Sequence, residues 1–296
     1  MATTVAKAFD EFKAVIAPTA SQALTISTRR ERVRGFLLAK YPPASAMPLL
    51  ETKVIGSAGR KTLIRPLADI DLFCVFDDTQ VWSSYRQNSQ QLLYRVREAL
   101  TDYNIQTVGS RGQAVRLFYK DGFNVDITPA FRVFDRIFRT QQHGYCIPKG
   151  DGGWQQTDPY QHDDFMAKRN EHLGSHLKPL VRLLKRWNRT HSSRLRSFHL
   201  EMVVQATFKT LSSNSRTASL VFFEHAGSHL HVHDPSGYSG DLAGGLTRTQ
   251  IDAINTSLAG SVDHARRAVQ AETDGDIPEA LRQWRIVFGD EFPGYG

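Results

Sequence analysis

Asp69 and Asp71 stand one residue apart, thirteen positions after a Gly56-Ser57 pair. The run Asp69-Ile70-Asp71-Leu72-Phe73-Cys74-Val75-Phe76 reads as a strand, in which alternation sends both carboxylates to one face and Ile70 to the other. A third acid, Asp126, falls in a second apolar stretch, residues 123–127. That stretch is joined to residues 114–119 by Lys120-Asp121-Gly122, a hairpin signature. Three carboxylates on adjoining strands suit hard divalent cations, which take carboxylate oxygen in preference to imidazole or thiolate. The arrangement is that of a two-metal nucleotidyl-transfer site, where a triphosphate must be neutralised, an attacking hydroxyl activated and a leaving pyrophosphate stabilised. The competing reading is a set of solvated acids at strand ends.

Gly56-Ser57-Ala58-Gly59-Arg60-Lys61-Thr62 invites a phosphate-loop reading, but that motif needs glycine directly before the lysine and Arg60 is there. A turn of small residues still lets backbone amides and the Ser57 hydroxyl approach a triphosphate closely. The alternative is an ordinary Gly-Ser turn. The net charge of +7 favours an anionic partner without separating triphosphates from nucleic acid. Lys7, Asp10, Glu11 and Lys13 interrupt every apolar stretch of the first helix, which denies it the core of a signal peptide, and no segment approaches a membrane span. Cys74 and Cys146 are too few for a disulfide framework or a zinc site, so a cytoplasmic location is expected.

Periodicity predicts helices over residues 2–18 and 27–40, the second capped by Ser27 or Thr28 and ended by Tyr41-Pro42-Pro43. Strands are expected at 52–57 and 69–76, then a helix over 85–103. Pro129 is expected to close the strand that carries Asp126, and residues 139–162, rich in glycine, to form a loop between two lobes. Beyond residue 163 the pattern is helical, with Leu173, Leu177, Leu180, Leu184 and Trp187 recurring at three and four. The fold class is therefore α/β (α+β). Residues 1–160 should form a catalytic core of N-terminal helices and a twisted mixed sheet, and residues 161–296 a helical lobe closing the nucleotide cleft.

The strings Gly56-Ser57 to Lys61-Thr62, Arg65-Pro66-Leu67-Ala68-Asp69-Ile70-Asp71 and Val125-Asp126-Ile127-Thr128-Pro129-Ala130 resemble the polymerase-β-type nucleotidyltransferases. Three further segments resemble, more narrowly, the bacterial CD-NTases, the cGAS/DncV-like enzymes: Leu184-Lys185-Arg186-Trp187-Asn188 with Ser197-Phe198-His199-Leu200-Glu201; Asp234-Pro235-Ser236-Gly237; and Trp284-Arg285 with Phe288-Gly289 and Phe292-Pro293. The resemblance implies two Mg2+ ions, or Mn2+, on Asp69, Asp71 and Asp126. It implies nucleoside triphosphates as substrates and a cyclic oligonucleotide, expected to be a dinucleotide, as product. Such a messenger serves bacterial antiphage signalling (CBASS) through a separate effector.

The same resemblance implies that Lys185 and Ser197 contact the donor triphosphate. Taken alone, Lys185 belongs to a basic stripe with Arg182, Arg186 and Arg189 that reads as a solvated helix face. Asn170 is a candidate for reading a base edge, against the plainer role of a helix cap. His229, His231 and His233 alternate as if on a strand, but without thiolates they read as structural, and His199 as a packing residue. The cysteine count excludes the zinc-bearing insertion of the animal sensor, so activation by DNA is not expected. Relatives conjugated by a ubiquitin-like ligase make Gly296, on an expected flexible tail, a candidate conjugation point. The competing functions are a linear nucleotidyltransferase, acting on RNA ends or making oligoadenylate, and an inactive nucleotidyltransferase fold used for binding.

Overall fold

The computed structural model describes residues 2–67, 69–103, 107–132 and 144–296. In chain order its elements are α1 (Val5–Ile16), α2 (Ala20–Lys40), β1 (Leu49–Ile55), the single turn α3 (Gly56–Gly59), β2 (Asp69–Phe76), α4 (Trp82–Tyr85), α5 (Gln90–Ala99), β3 (Thr107–Arg111), β4 (Ala114–Phe118), β5 (Asn124–Arg132), β6 (Tyr145–Pro148) and β7 (Trp154–Thr157). Helices α6 (Pro159–His172), α7 (Leu177–Thr190), α8 (Ser197–Thr207), α9 (Ser215–His225), α10 (Arg248–Thr273) and α11 (Ile277–Phe288) follow. They divide into a sheet unit, Thr19–Arg60 with Leu67–Asp163, and a helical unit made of Met1–Pro18, Lys61–Pro66 and Asp164–Gly296. The boundary in the chain's later half falls inside α6.

The sheet unit is a mixed sheet in the order β1-β2-β5-β4-β3, with β6 pairing β5 and β7 pairing β6. Among the described strands, β2 and β5 pair in parallel and the other pairs are antiparallel. One sheet face packs Ile70, Leu72, Cys74, Phe76, Val125 and Ile127 against α2 and α5, which contribute Val33, Leu37, Leu92, Leu93 and Val96. Helix α2 begins seven residues before the expected start because Thr19 and Gln22 form a capping box. Strand β5 does not stop at Pro129 but runs to Arg132, with Pro129 opposite Cys74. On the other edge of β5, β4 pairs only as far as Ile127 and β6 begins at Phe131, so no neighbour there asks Pro129 for an N–H. The region expected as a loop contains the β6–β7 hairpin, its glycines forming the turn; residues 139–143 of it lie outside the described residues.

The helical unit has its own core. Helix α1, expected with the catalytic core, packs here instead: Phe9 meets Trp284 with ring centroids 5.0 Å apart, and Phe12 meets Phe292 at 5.1 Å. Phe292 is thereby buried, and the Ala2 N–H donates to the Gly294 carbonyl at 3.1 Å. The tail expected to be flexible is pinned as far as the Ala2–Tyr295 bridge.

Residues 61–66 join this unit through a buried polar knot. Lys185 Nζ lies 2.5 Å from Glu201 Oε1, with side-chain exposures of 5% and 0%. Thr62 Oγ1 donates to Glu201 at 2.8 Å and accepts from Lys185 at 3.1 Å. A buried pair of this kind adds little net stability but is expensive to break on one side. Glu201→Ala is therefore expected to lower unfolding free energy by about 3–5 kcal/mol in denaturant titration, and Lys185→Met combined with Glu201→Leu by much less.

Candidate active site

The parallel register sets Asp71 opposite Asp126 and Asp69 opposite Asn124. Paired residues of neighbouring strands project to the same face, so all three carboxylates share the face opposite the α2/α5 core, and Ile70 is buried in that core. Along the same face the strands continue as Phe73, Val75 and Ala130, a small apolar cluster with Ile147. The acids thus sit at the polar end of an otherwise apolar surface.

The Gly56–Gly59 turn presses directly on Asp71. Ile55 is the register partner of Asp71, and the chain bends at the next residue, where Gly56 adopts φ +64°. A Cβ at Gly56 would lie 2.0 Å from Asp71 Oδ2, and one at Gly59 would lie 2.5 Å from the Val54 carbonyl oxygen. Glycine is required at 56 both for the left-handed backbone and for the approach to the acid. Ser57, half-buried, is the residue that this bend presents next.

Burial raises the Asp71 carboxyl to about 6, and the neighbouring Asp69 and Asp126 push it the same way, while Arg60 and Arg116 pull it down. Arg116 bonds two acids of the cluster: its Nε donates to Asp126 Oδ1 at 2.5 Å and its Nη2 to Asp69 Oδ2 at 2.9 Å. The same Nη2 also reaches Asp126 Oδ2. Among the described residues no three His, Cys, Asp or Glu side chains close on one point as a finished metal cage. The donor set nevertheless fits hard cations, since it is all carboxylate oxygen.

Neither Arg116 nor Arg60 was among the residues singled out from the sequence. A signal existed: residues 116 and 126 are equidistant from Asp121 at the centre of the hairpin turn, which makes Arg116 the cross-strand partner of Asp126.

The other expected residues lie in the helical unit. Lys185, read as an exposed cation, is buried against Glu201 and Thr62. Ser197 is exposed at the first position of α8, whose N-cap, Arg196, supplies no side-chain cap. That end is placed by Asn188, which donates to the Leu195 carbonyl at 2.8 Å and accepts from its N–H at 3.1 Å. Asn170 accepts from the Lys178 N–H at 3.0 Å, so its amide caps α7 from the preceding helix. His199 is buried, bonded to the Leu230 carbonyl at 2.7 Å, and its basicity is lowered by burial, as a packing role requires. Of the three histidines expected on a strand, His229 ends a 3-10 turn, His231 meets Asp241 at 2.8 Å and His233 forms an isolated antiparallel bridge with Asp241. Gly296 follows the Ala2–Tyr295 bridge.

Residues 3–170 match the family described as Second Messenger Oligonucleotide or Dinucleotide Synthetase domain. The chain belongs to this family. It is a bacterial CD-NTase, a nucleotidyltransferase. It is 27% identical over 272 residues to "Probable cyclic nucleotide synthase" of Bacillus cereus, covering 81% of each chain. It is also 27% identical over 268 residues to a cyclic AMP-AMP-AMP synthase of Acinetobacter, covering 82% of this chain and 73% of that one. In fold it is similar to Escherichia coli CdnC, solved in complex with a HORMA protein, with TM-score 0.79, 20% identity, and 97% and 98% of the two chains covered.

Gly56→Ala should leave the fold intact and reduce turnover at least about 100-fold, because the added methyl must displace Asp71 or its own backbone. Circular dichroism together with turnover checks this. The Asp71 shift carries a stability signature of its own. A carboxyl whose folded-state pKa lies above its unfolded value binds a proton more readily in the native state, so stability is lost as pH rises from about 4 to about 6. In EDTA, melting of Asp71→Asn relative to wild type should move in the variant's favour across that window, by at most about 3 kcal/mol. A pH-independent difference would overturn the assignment.

Proposed function

We propose that this CD-NTase joins nucleoside triphosphates into a cyclic oligonucleotide messenger, using Asp69, Asp71 and Asp126 as the ligands of divalent cations. The observation that carries the proposal is the in-register pairing of Asp71 with Asp126 beneath the Gly56 turn. In each step a 3′- or 2′-hydroxyl oxygen bonds to the α-phosphorus of a triphosphate, the bond to the bridging oxygen breaks, pyrophosphate leaves and the hydroxyl proton passes to solvent. The last step is intramolecular and closes the ring.

Two Mg2+ or Mn2+ ions, when bound, supply the positive charge that activates the hydroxyl and stabilises the leaving pyrophosphate. The protein's own share is orientation. Asp69 and Asp71 present their oxygens from one strand, and Asp126 from the strand beside it, on a sheet whose opposite face is packed core. Ser57 and the turn amides approach the phosphates where a side chain at Gly56 would obstruct. In the helical unit, Ser197 and the amino end of α8, where Arg196 supplies no side-chain cap, suit an anionic phosphate. Lys185 can contribute there only in competition with Glu201.

A dinucleotide is the expectation from sequence, whereas the Acinetobacter relative is a cyclic AMP-AMP-AMP synthase, so a tri-adenylate ring is the first mass to seek. The product would act on a separate effector. Gly296, the candidate conjugation point, directly follows the Ala2–Tyr295 bridge.

Purified protein incubated with the four triphosphates and Mg2+ or Mn2+ should yield phosphatase-resistant rings identifiable by mass spectrometry. Phosphatase-sensitive linear products alone would favour the linear transferase. Asp69→Asn, Asp71→Asn and Asp126→Asn should each lower the rate at least ~1000-fold, since each removes charge worth several kcal/mol in the transition state. Full turnover by any of the three would remove that residue from the site.

A further inference from the structure

The carboxylate cluster contains a cation of its own. Arg116 projects from β4 directly opposite Asp126 and grips it with a two-nitrogen fork, while its Nη2 also spans to Asp69 Oδ2 at 2.9 Å. Guanidinium keeps its charge at any working pH, and its planar fork matches a carboxylate. It therefore occupies, on two of the three acids, oxygens that a divalent cation would use.

The two attachments are unequal. Arg116 and Asp126 are 13% and 14% exposed and share two hydrogen bonds, whereas Asp69 is 38% exposed and held by one. A divalent ion arriving at Asp69 replaces a single part-solvated contact, while the fork to Asp126 survives. Two positive charges then lie close together in a poorly solvated site, and each weakens the hold of the acids on the other.

We propose that Arg116 is the resting counter-ion of the carboxylate cluster. It holds Asp69 and Asp126 together when no cation is bound and releases Asp69 when one binds, so that cation loading is an exchange of positive charges. This rests on the nucleotidyl-transfer reading of the same site and adds a positioning residue that also sets cation affinity. It explains how three part-buried acids tolerate each other in the free protein.

The test uses full-length protein without nucleotide, Mn2+ binding followed by electron paramagnetic resonance of free Mn2+, and melting in EDTA and in Mn2+. Arg116→Met should melt lower than wild type in EDTA, bind Mn2+ about tenfold or more tightly, and gain more in melting temperature from Mn2+ than wild type does. Arg116→Lys keeps the charge but loses the fork, so it should fold more readily and bind Mn2+ with affinity between the two. Affinity unchanged or weakened in the folded variants would overturn the exchange and leave Arg116 a fixed structural partner. Asp71→Asn separates the two levels of argument. Mn2+ binding that needs Asp71 but ignores Arg116 overturns only the exchange, whereas wild type that binds no Mn2+, or binds it equally well without Asp71, overturns the metal-site reading and the exchange with it.

Discussion

The parallel pairing of β2 with β5 is the constraint on which the site depends. A slip of one residue would keep the ladder but turn Asp126 to the core face, where Val125 and Ile127 now lie. Burial of Ile70, Leu72, Cys74, Val125 and Ile127 on one face therefore holds Asp69, Asp71 and Asp126 on the other. The hydrophobic core sets the register, and the register sets the chemistry. Gly56 depends on it too, since Ile55 pairs with Asp71 and the chain must turn immediately afterwards.

Charge is handled differently in the two units. Around Asp71, burial and the neighbouring Asp69 and Asp126 oppose ionisation while Arg60 and Arg116 favour it, and a divalent ion would act in the same sense as the two arginines. In the helical unit, Lys185 and Glu201 are buried together and matched, with Thr62 bonded to both. The first arrangement leaves an electrostatic demand for a ligand; the second fixes a connection. Residues 61–66, between the Gly56 turn and β2, are tied to the helical unit at Thr62 and through the Arg65 N–H, which donates to the Ile16 carbonyl at 2.8 Å.

Several family-like segments are explained by packing. Asn188 clamps Leu195, Trp187 donates to Ser261 Oγ at 2.7 Å, His199 holds the Leu230 carbonyl and Glu201 receives Lys185. Asp234 accepts from the Ser236 and Ser239 N–H groups and folds its own turn. These residues shape the helical unit, whereas Ser197, at the first position of α8, is exposed.

What the sequence determined by itself were the features carried by local spacing. The i, i+2 acids, the hairpin around Asp121, the Gly-Ser turn and the helical periodicity beyond residue 163 follow from strand alternation, turn chemistry and the 3.6-residue repeat. Those properties act between near neighbours, so they are legible in a linear string. What only tertiary structure decided were pairings between distant segments. Lys185 reads as a solvated cation until Glu201 and Thr62 are brought to it, and Asn170 reads as either a base-edge candidate or a helix cap until the Lys178 N–H is brought to it. Helix α1 belongs by number to the first half of the chain, yet its apolar face is satisfied by Trp284, Phe288 and Phe292. A side chain's charge and shape are written in its own residue, but whether that charge is solvated, matched or left in demand depends on partners that long-range packing brings to it.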